Sequence, residues 1–226
     1  MTISMENNLF LDELTLTPSP IRIGDISLEL LTVENIDPFI DALEEKGPNG
    51  LTGFPYWVKI WEAAIALAAH LSELSPDTSR TVIELGAGMG VAGLFLAASG
   101  HDVTLTDIDD NALKLINKNI DHNNLRSATT QKLDWHRFEP PGRYDIVCGA
   151  ELVYRQDDIR PALEAVRSVV KPDGTVYLAH DVKRLSMIEF LAEAGKDFGI
   201  EHAGKSLDMG GGKKEIVIHT MKPSAG

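Results

Sequence analysis

The sequence predicts a doubly wound α/β domain, a mostly parallel sheet covered by helices on both faces. Three observations predict it. Short apolar runs of strand length alternate with runs of helical period from residue 81 to residue 179. A glycine-rich turn at 86–90 joins the first of these strands to the helix that follows. An acid, Asp107, closes the next strand about twenty residues further on. Strand and helix alternating in this way imply parallel strands with right-handed crossovers, because each helix must pack back onto the sheet.

The elements follow in order. Residues 1–20 are polar, end in Thr17-Pro18-Ser19-Pro20, and read as a loose tail. Residues 21–23 and 27–33 alternate around Gly24-Asp25, the pattern of a short hairpin. Asp37-Pro38 offers a cap and a first-turn proline for a short helix through Leu43, and 47–53 reads as a loop. Residues 1–50 thus form an N-terminal segment ahead of a domain at 51–222. Apolar residues at 60, 61, 64, 65, 68 and 71 recur at helical spacing and predict a helix over 57–74, broken by Ser75-Pro76-Asp77. A strand over 81–85 runs into the glycines, and a helix over 91–98 is stopped by Gly100. Strand 103–106, helix 111–119, strands 129–133 and 146–150, helix 159–170 and strand 175–179 continue the alternation, with Pro172-Asp173-Gly174 before the last. The end differs: 200–207 and 215–220 flank Gly210-Gly211-Gly212 and predict an antiparallel hairpin.

Composition narrows the function classes. The chain has 226 residues, 43% of them apolar, enough for one substantial core. A formal charge of −13 disfavours nucleic acid as a partner, since binders of phosphate backbones present basic surfaces. An acidic surface suits a basic partner or simply keeps the protein in solution. Cys148 is the single cysteine, which excludes an intramolecular disulfide and a cysteine metal cage. The histidines show no metal-ligand spacing, so no metal is assigned. No apolar run is long enough to span a bilayer, and no N-terminal stretch combines basic residues with an apolar core. Cytoplasm is the expected location, with no membrane partner.

The glycine turn carries the chemistry. In Glu84-Leu85-Gly86-Ala87-Gly88-Met89-Gly90, glycines let the chain turn tightly and let backbone approach a ligand. Glu84, two positions before the first glycine, would repel a pyrophosphate, which wants backbone donors free of competing negative charge. A ligand with an ammonium and no phosphate would welcome it, by direct contact or through water. Asp107 can accept from both hydroxyls of a ribose, or cap the next helix. Asp109 and Asp110 read as caps.

These residues resemble motif I of the seven-strand class of S-adenosylmethionine methyltransferases, with Asp107 as their ribose-binding acid. The resemblance covers roughly residues 50–220 and implies a Rossmann-like seven-stranded sheet and S-adenosyl-L-methionine as cofactor. Three further segments are similar to the protein-lysine methyltransferase branch, which includes enzymes acting on electron-transfer flavoprotein β-subunit, valosin-containing protein and chaperones. They are the tryptophan-led run Trp61-Glu62-Ala63-Ala64, Leu133-Asp134-Trp135 after the third strand, and Ala150-Glu151-Leu152-Val153-Tyr154 after the fourth. Many members carry Asp where this chain has Glu151. The resemblance implies cofactor-binding roles for Trp61, Glu84, Gly86, Ala87, Gly88, Gly90, Asp107, Ile108, Asp134, Trp135 and Ala150, and catalytic roles for Glu151 and Tyr154. From the residues alone, Trp61 reads as a core residue on an amphipathic helix, Tyr154 as a core aromatic with its hydroxyl satisfied locally, and Trp135 either stacks on adenine or packs. Cys148 reads as a small inert hydrophobe.

A lysine acceptor must shed a proton before it attacks, which costs about 4–5 kcal/mol at pH 7 from a reference pKa near 10.4. Desolvation and an adjacent sulfonium lower that pKa, and a carboxylate raises it. Glu151 is therefore read as the group that docks the amine, and Tyr154 as lining for its methylene stem. Base methylation of nucleic acid is disfavoured by the lack of prolines after Glu151. A small-molecule acceptor, or a cofactor-binding module that no longer methylates, remains open.

Overall fold

The computed structural model describes residues 11–34, 55–73, 79–137, 139–208 and 212–224. A seven-stranded sheet has the order β5-β4-β3-β6-β7-β9-β8. Its strands are β3 (Thr81–Glu84), β4 (Asp102–Asp107), β5 (Ala128–Lys132), β6 (Tyr144–Ala150), β7 (Val170–Asp181), β8 (Phe198–Asp208) and β9 (Lys213–Pro223). The first five are parallel; β9 runs antiparallel to both β7 and β8. The expected doubly wound fold and terminal hairpin are both present. The strand order reverses between β3 and β6, and at such a switch point the carboxyl ends of neighbouring strands open a crevice.

Alternating residues supply two hydrophobic layers. Val82, Ile146 and Cys148 face one layer; Ile83, Val147 and Val176 face the other. Helices α1 (Glu62–Leu71), α2 (Val91–Ala98) and α3 (Asp110–His122) cover the first layer, and α4 (Ile159–Val169) and α5 (Ser186–Ala194) the second. Helix α5 is not among the elements read from the sequence. Its buried residues Met187, Phe190 and Ala194 nevertheless have the 3-4 spacing of a helix face.

Three expectations are corrected. The helix expected over 57–74 starts only at Glu62, with Trp61 extended at its N-cap and a 3-10 turn at Tyr56–Val58 before it. One tertiary and one local bond hold this segment out of the helix: Trp57 Nε1 donates to Asp109 Oδ2 at 2.8 Å, and Trp61 Nε1 to the Tyr56 carbonyl at 2.9 Å. The strand at 175–179 is longer, because β7 begins at Val170; pairing jumps from Tyr144↔Val170 to Ile146↔Thr175 and bulges residues 171–174 out of register. The loose tail, in its described part, is a 3-10 turn at Leu11–Glu13 followed by strand β1 (Leu16–Ile23), which pairs with β2 (Ile26–Val33).

Prolines 18 and 20 fit β1 because of what their partners do. Pro18 faces Leu31 and Pro20 faces Glu29. The backbone N–H groups of Leu31 and Glu29 point away from β1, to Asn119 Oδ1 at 2.6 Å and Asn123 Oδ1 at 3.0 Å on α3. These are non-hydrogen-bonded pairs, where an N–H on β1 would have no ladder partner to lose. The two asparagine amides also donate back to the carbonyls of Leu31 and Glu29. Four residues of helix rise ~6 Å and two of strand ~6.6 Å, so asparagines at i and i+4 match strand residues at i and i−2.

The expected helix at 38–43, the loop at 47–53, the break at 75–77 and Gly210-Gly211 lie outside the described residues.

Candidate active site

A cavity of about 290 Å³ opens at the carboxyl edge of the sheet, across the switch between β3 and β6. Its floor is the glycine turn. Gly86 and Gly88 have φ of +56° and +57°, and a Cβ on Gly86 would come within 3.4 Å of the Trp135 ring and 3.0 Å of Leu152. The turn is held from β4: Thr106 accepts the Ala87 N–H through its carbonyl at 2.8 Å, and Asp107 Oδ2 accepts the Gly88 N–H at 2.8 Å. Asp107 Oδ1 accepts from the Asp109 N–H at 3.0 Å. Asp109 caps α3 by accepting from the Asn111 N–H at 2.8 Å, as its position predicts.

Glu84 closes β3 and is 1% exposed. Its Oε2 accepts from the Gly93 N–H at 2.8 Å, in the first turn of α2. Burial pushes its carboxyl up to about 8; the Gly93 bond opposes this and the nearby Asp107 adds to it. Asp107 is likewise raised by burial, its backbone N–H partners pulling the other way. Neither acid has a basic side-chain partner among the described residues.

The β6 edge supplies the second wall. Glu151 follows the strand with φ +53°, a left-handed conformation that an L-residue adopts at an energetic cost. Its N–H donates to the Ala179 carbonyl at 2.8 Å. Its Oε2 takes Arg184 Nε at 2.9 Å and Nη2 at 2.7 Å, while Oε1 takes the Asp181 N–H at 2.6 Å. Tyr154 stacks on Tyr56 with centroids 4.3 Å apart. Burial, and then the charge of Glu151, push the Tyr154 phenol well above its ordinary range. On the far side, Asp134 Oδ1 accepts from the His136 N–H at 2.9 Å and starts the 3-10 turn Trp135–Arg137, which lays the Trp135 indole against Gly86.

A family model described as lysine methyltransferase matches residues 45–197. The chain belongs to the lysine methyltransferase family. EEF1A lysine methyltransferase 3 of Mus musculus is 36% identical over 133 residues, covering 55% of this chain and 56% of that protein. Protein N-lysine methyltransferase METTL21A of Danio rerio is 29% identical, covering 63% of this chain and 68% of that protein. The chain thus spans little more than half the length of the mouse relative. In fold, it is similar to glycopeptide N-methyltransferase MtfA complexed with S-adenosyl-L-homocysteine, with a TM-score of 0.60 at 16% identity over 84% of this chain and 99% of that one. A TehB-like SAM-dependent methyltransferase from Corynebacterium glutamicum aligns with a TM-score of 0.58 at 18% identity, over 83% and 99%.

In this member of the lysine methyltransferase family, the residues singled out from the sequence converge on the cavity. Trp61, Glu84, Gly86, Ala87, Gly88, Asp107, Ile108, Asp134, Trp135, Ala150, Glu151 and Tyr154 all line it. Gly90 does not. Its φ is +75°, and a Cβ there would lie 2.7 Å from Leu105 Cδ2 and 3.1 Å from Ile116 Cγ1, so it lets α2 and α3 close on β4. Cys148 is buried, with its thiol pushed up by burial, in keeping with an inert core residue. Sequence reading missed Tyr56, Trp57, Met89 and Arg155 in the lining, and Arg184 behind Glu151. Pro55 beside paired aromatics is the signal that marks Tyr56 and Trp57 as turn residues. Arg184 carries none beyond lying past the carboxyl end of a parallel strand.

Proposed function

We propose that this chain is an S-adenosylmethionine-dependent enzyme that N-methylates a lysine side chain of a protein in the cytoplasm. The observation that carries the reading is the end of β6, where a left-handed Glu151 borders the same cavity as the glycine turn, with the Tyr154–Tyr56 stack beside it. Backbone strain of this kind clusters at reacting centres, where surrounding contacts over-determine it.

The lining suits a cationic, phosphate-free adenosine derivative. It holds the acids Glu84, Asp107, Asp109, Asp134, Glu151 and Asp158 against the permanent cations Lys59 and Arg155. Two desolvated carboxyls at the glycine turn favour an ammonium and disfavour a pyrophosphate. Glu84 is suited to hold the cofactor's ammonium, Asp107 its ribose diol, and Ile108 and Trp135 the faces of its adenine. Ile108 is 57% exposed, an apolar side chain with a ligand face to cover. Bound there, S-adenosylmethionine supplies a methyl on a sulfonium whose leaving group departs neutral. The protein's part is then to orient the amine, exclude water and let a proton go. Glu151 accepts a hydrogen bond from the amine, and the Tyr154–Tyr56 stack confines the methylene stem. The relatives' names specify protein lysine acceptors, and a charge of −13 suits a basic partner.

Incubation with methyl-labelled cofactor and cell lysate tests the reading. Label is expected in the protein fraction and, after hydrolysis, in methyl-lysine. Label confined to small molecules would transfer the activity to a metabolite acceptor. Glu151→Gln is expected to reduce incorporation by at least ~100-fold while S-adenosylhomocysteine affinity stays within about threefold. A large loss of affinity instead would make Glu151 a cofactor ligand.

A further inference from the structure

Glu151 does not meet the cavity as a bare charge. Its side chain is 5% exposed, and Arg184, at 27%, covers it from the loop between β7 and α5. The guanidinium carbon of Arg184 lies 4.5 Å from the Tyr154 ring centroid, so the cation is held between a carboxylate and an aromatic face. Other charges nearby are engaged elsewhere. The Asp181 carboxylate faces Lys214 of β9 at 3.8 Å, and Arg155 binds Asp158 with Nε at 3.1 Å. Asp107 from β4 and Lys59 border the same cavity, and Tyr56 backs Tyr154.

An amine attacks only when neutral. A bare carboxylate within hydrogen-bonding reach stabilises the ammonium and works against the reaction. Paired with a guanidinium, the same carboxylate keeps acceptor lone pairs but presents little net charge. We propose that Arg184 is a positioning residue that holds Glu151 as a charge-compensated hydrogen-bond acceptor, so that the acceptor lysine enters as the neutral amine. The proposal rests on the reading of Glu151 as the partner of that amine. The amine sheds its proton to water before attack. Its lone pair then forms the N–C bond as the S–C bond breaks towards sulfur, and the positive charge moves from sulfur to nitrogen.

Two cofactor analogues test this without an identified acceptor. S-adenosylhomocysteine ends at the thioether, and sinefungin carries a primary amine where the transferred methyl would be. Calorimetry near pH 7.5, in two buffers of different ionisation heat, counts the protons released with each. Wild-type protein is expected to release about one proton more with sinefungin, whose amine is stripped of charge beside a compensated carboxylate. In Arg184→Gln that excess is expected to vanish, and sinefungin to gain at least about tenfold in affinity relative to S-adenosylhomocysteine, because Glu151 now holds an ammonium. Arg184→Lys keeps a cation, and the double variant Arg184→Gln with Glu151→Gln removes both charges. Each is expected to keep the wild-type affinity ratio within about threefold.

An unchanged ratio in Arg184→Gln overturns the proposal. So does wild-type binding of sinefungin with no excess proton, since Arg184 would then be a placeholder that yields to an incoming cation. If Arg184→Gln does not fold, the wild-type proton count decides alone. Binding of neither analogue would overturn the cofactor assignment and the inference with it.

Discussion

Glu84 closes β3 and Glu151 follows the neighbouring parallel strand β6, yet their surroundings give them opposite chemistry. Glu151 has a guanidinium against it. Among the described residues Glu84 has only the Gly93 N–H as a hydrogen-bond partner, and burial pushes it from 4.5 up to about 8. A carboxyl raised in the folded state holds a proton that the unfolded chain has already released at the same pH. Its contribution to stability is complete below about pH 4.5 and is lost as pH rises through about 8. Between pH 5 and 8 this one group is expected to remove stability of the order of a few kcal/mol from the ligand-free protein. Urea midpoints at pH 6 and pH 8 should show that loss in wild type and a smaller one in Glu84→Gln. Equal slopes would put the ionisation elsewhere. A bound ammonium would draw the proton off Glu84, so cofactor binding near pH 7 is expected to release a proton that Glu84→Gln does not.

At the scale of elements, the structure separates residues that shape the site from those that hold its walls. Gly90 needs both its left-handed φ of +75° and the absence of a side chain, since a Cβ would meet Leu105 at 2.7 Å. Gly100 also has a positive φ, +94°, but no described residue comes within 4 Å of its Cβ position. Gly90→Ala is therefore expected to lower stability by roughly 3 kcal/mol or more, and Gly100→Ala by about 1 kcal/mol, read from denaturant midpoints. The β1–β2 hairpin depends on α3 in a similarly specific way. Asn119 is fully buried, and its loss would leave the Leu31 N–H and carbonyl without their partner. Asn119→Ala is expected to cost about 2–3 kcal/mol and to speed hydrogen exchange at Leu31 above that of the central sheet. Uniform exchange across the chain would argue that hairpin and sheet open together.

Among the described residues, two helical layers cover the seven-stranded sheet, with the cavity at the edge where its five parallel strands end or turn. A ligand that bridges the glycine turn, β4, β5 and β6 ties together elements far apart in sequence, so its binding should stabilise the fold globally. At 100 times its dissociation constant, S-adenosylhomocysteine is expected to add ~2.7 kcal/mol, a rise in Tm of roughly 5–10 °C for a chain of this size. NADH, with its pyrophosphate, is expected to give no rise. A shift with NADH and none with S-adenosylhomocysteine would reverse the cofactor assignment. No helix among the described residues is long and apolar enough to cross a membrane.

Much of this was legible in the residue order, for a local reason. Strand and helix periods, the turn at Gly86-Ala87-Gly88 and an acid closing each of β3 and β4 are patterns a few residues long. Once the strands are known to be parallel, every residue at a carboxyl end must arrive at the same edge, which is why Glu84, Asp107, Asp134 and Glu151 meet. Tertiary structure alone decided the rest. The Arg184–Glu151 pair spans 33 residues, and the Asn119–Leu31 and Asn123–Glu29 bonds span 88 and 94. No local period encodes such contacts, and the ionisation of Glu84 follows from how deeply its neighbours bury it. Residue order set which groups reach the edge of the sheet, and packing set their charge.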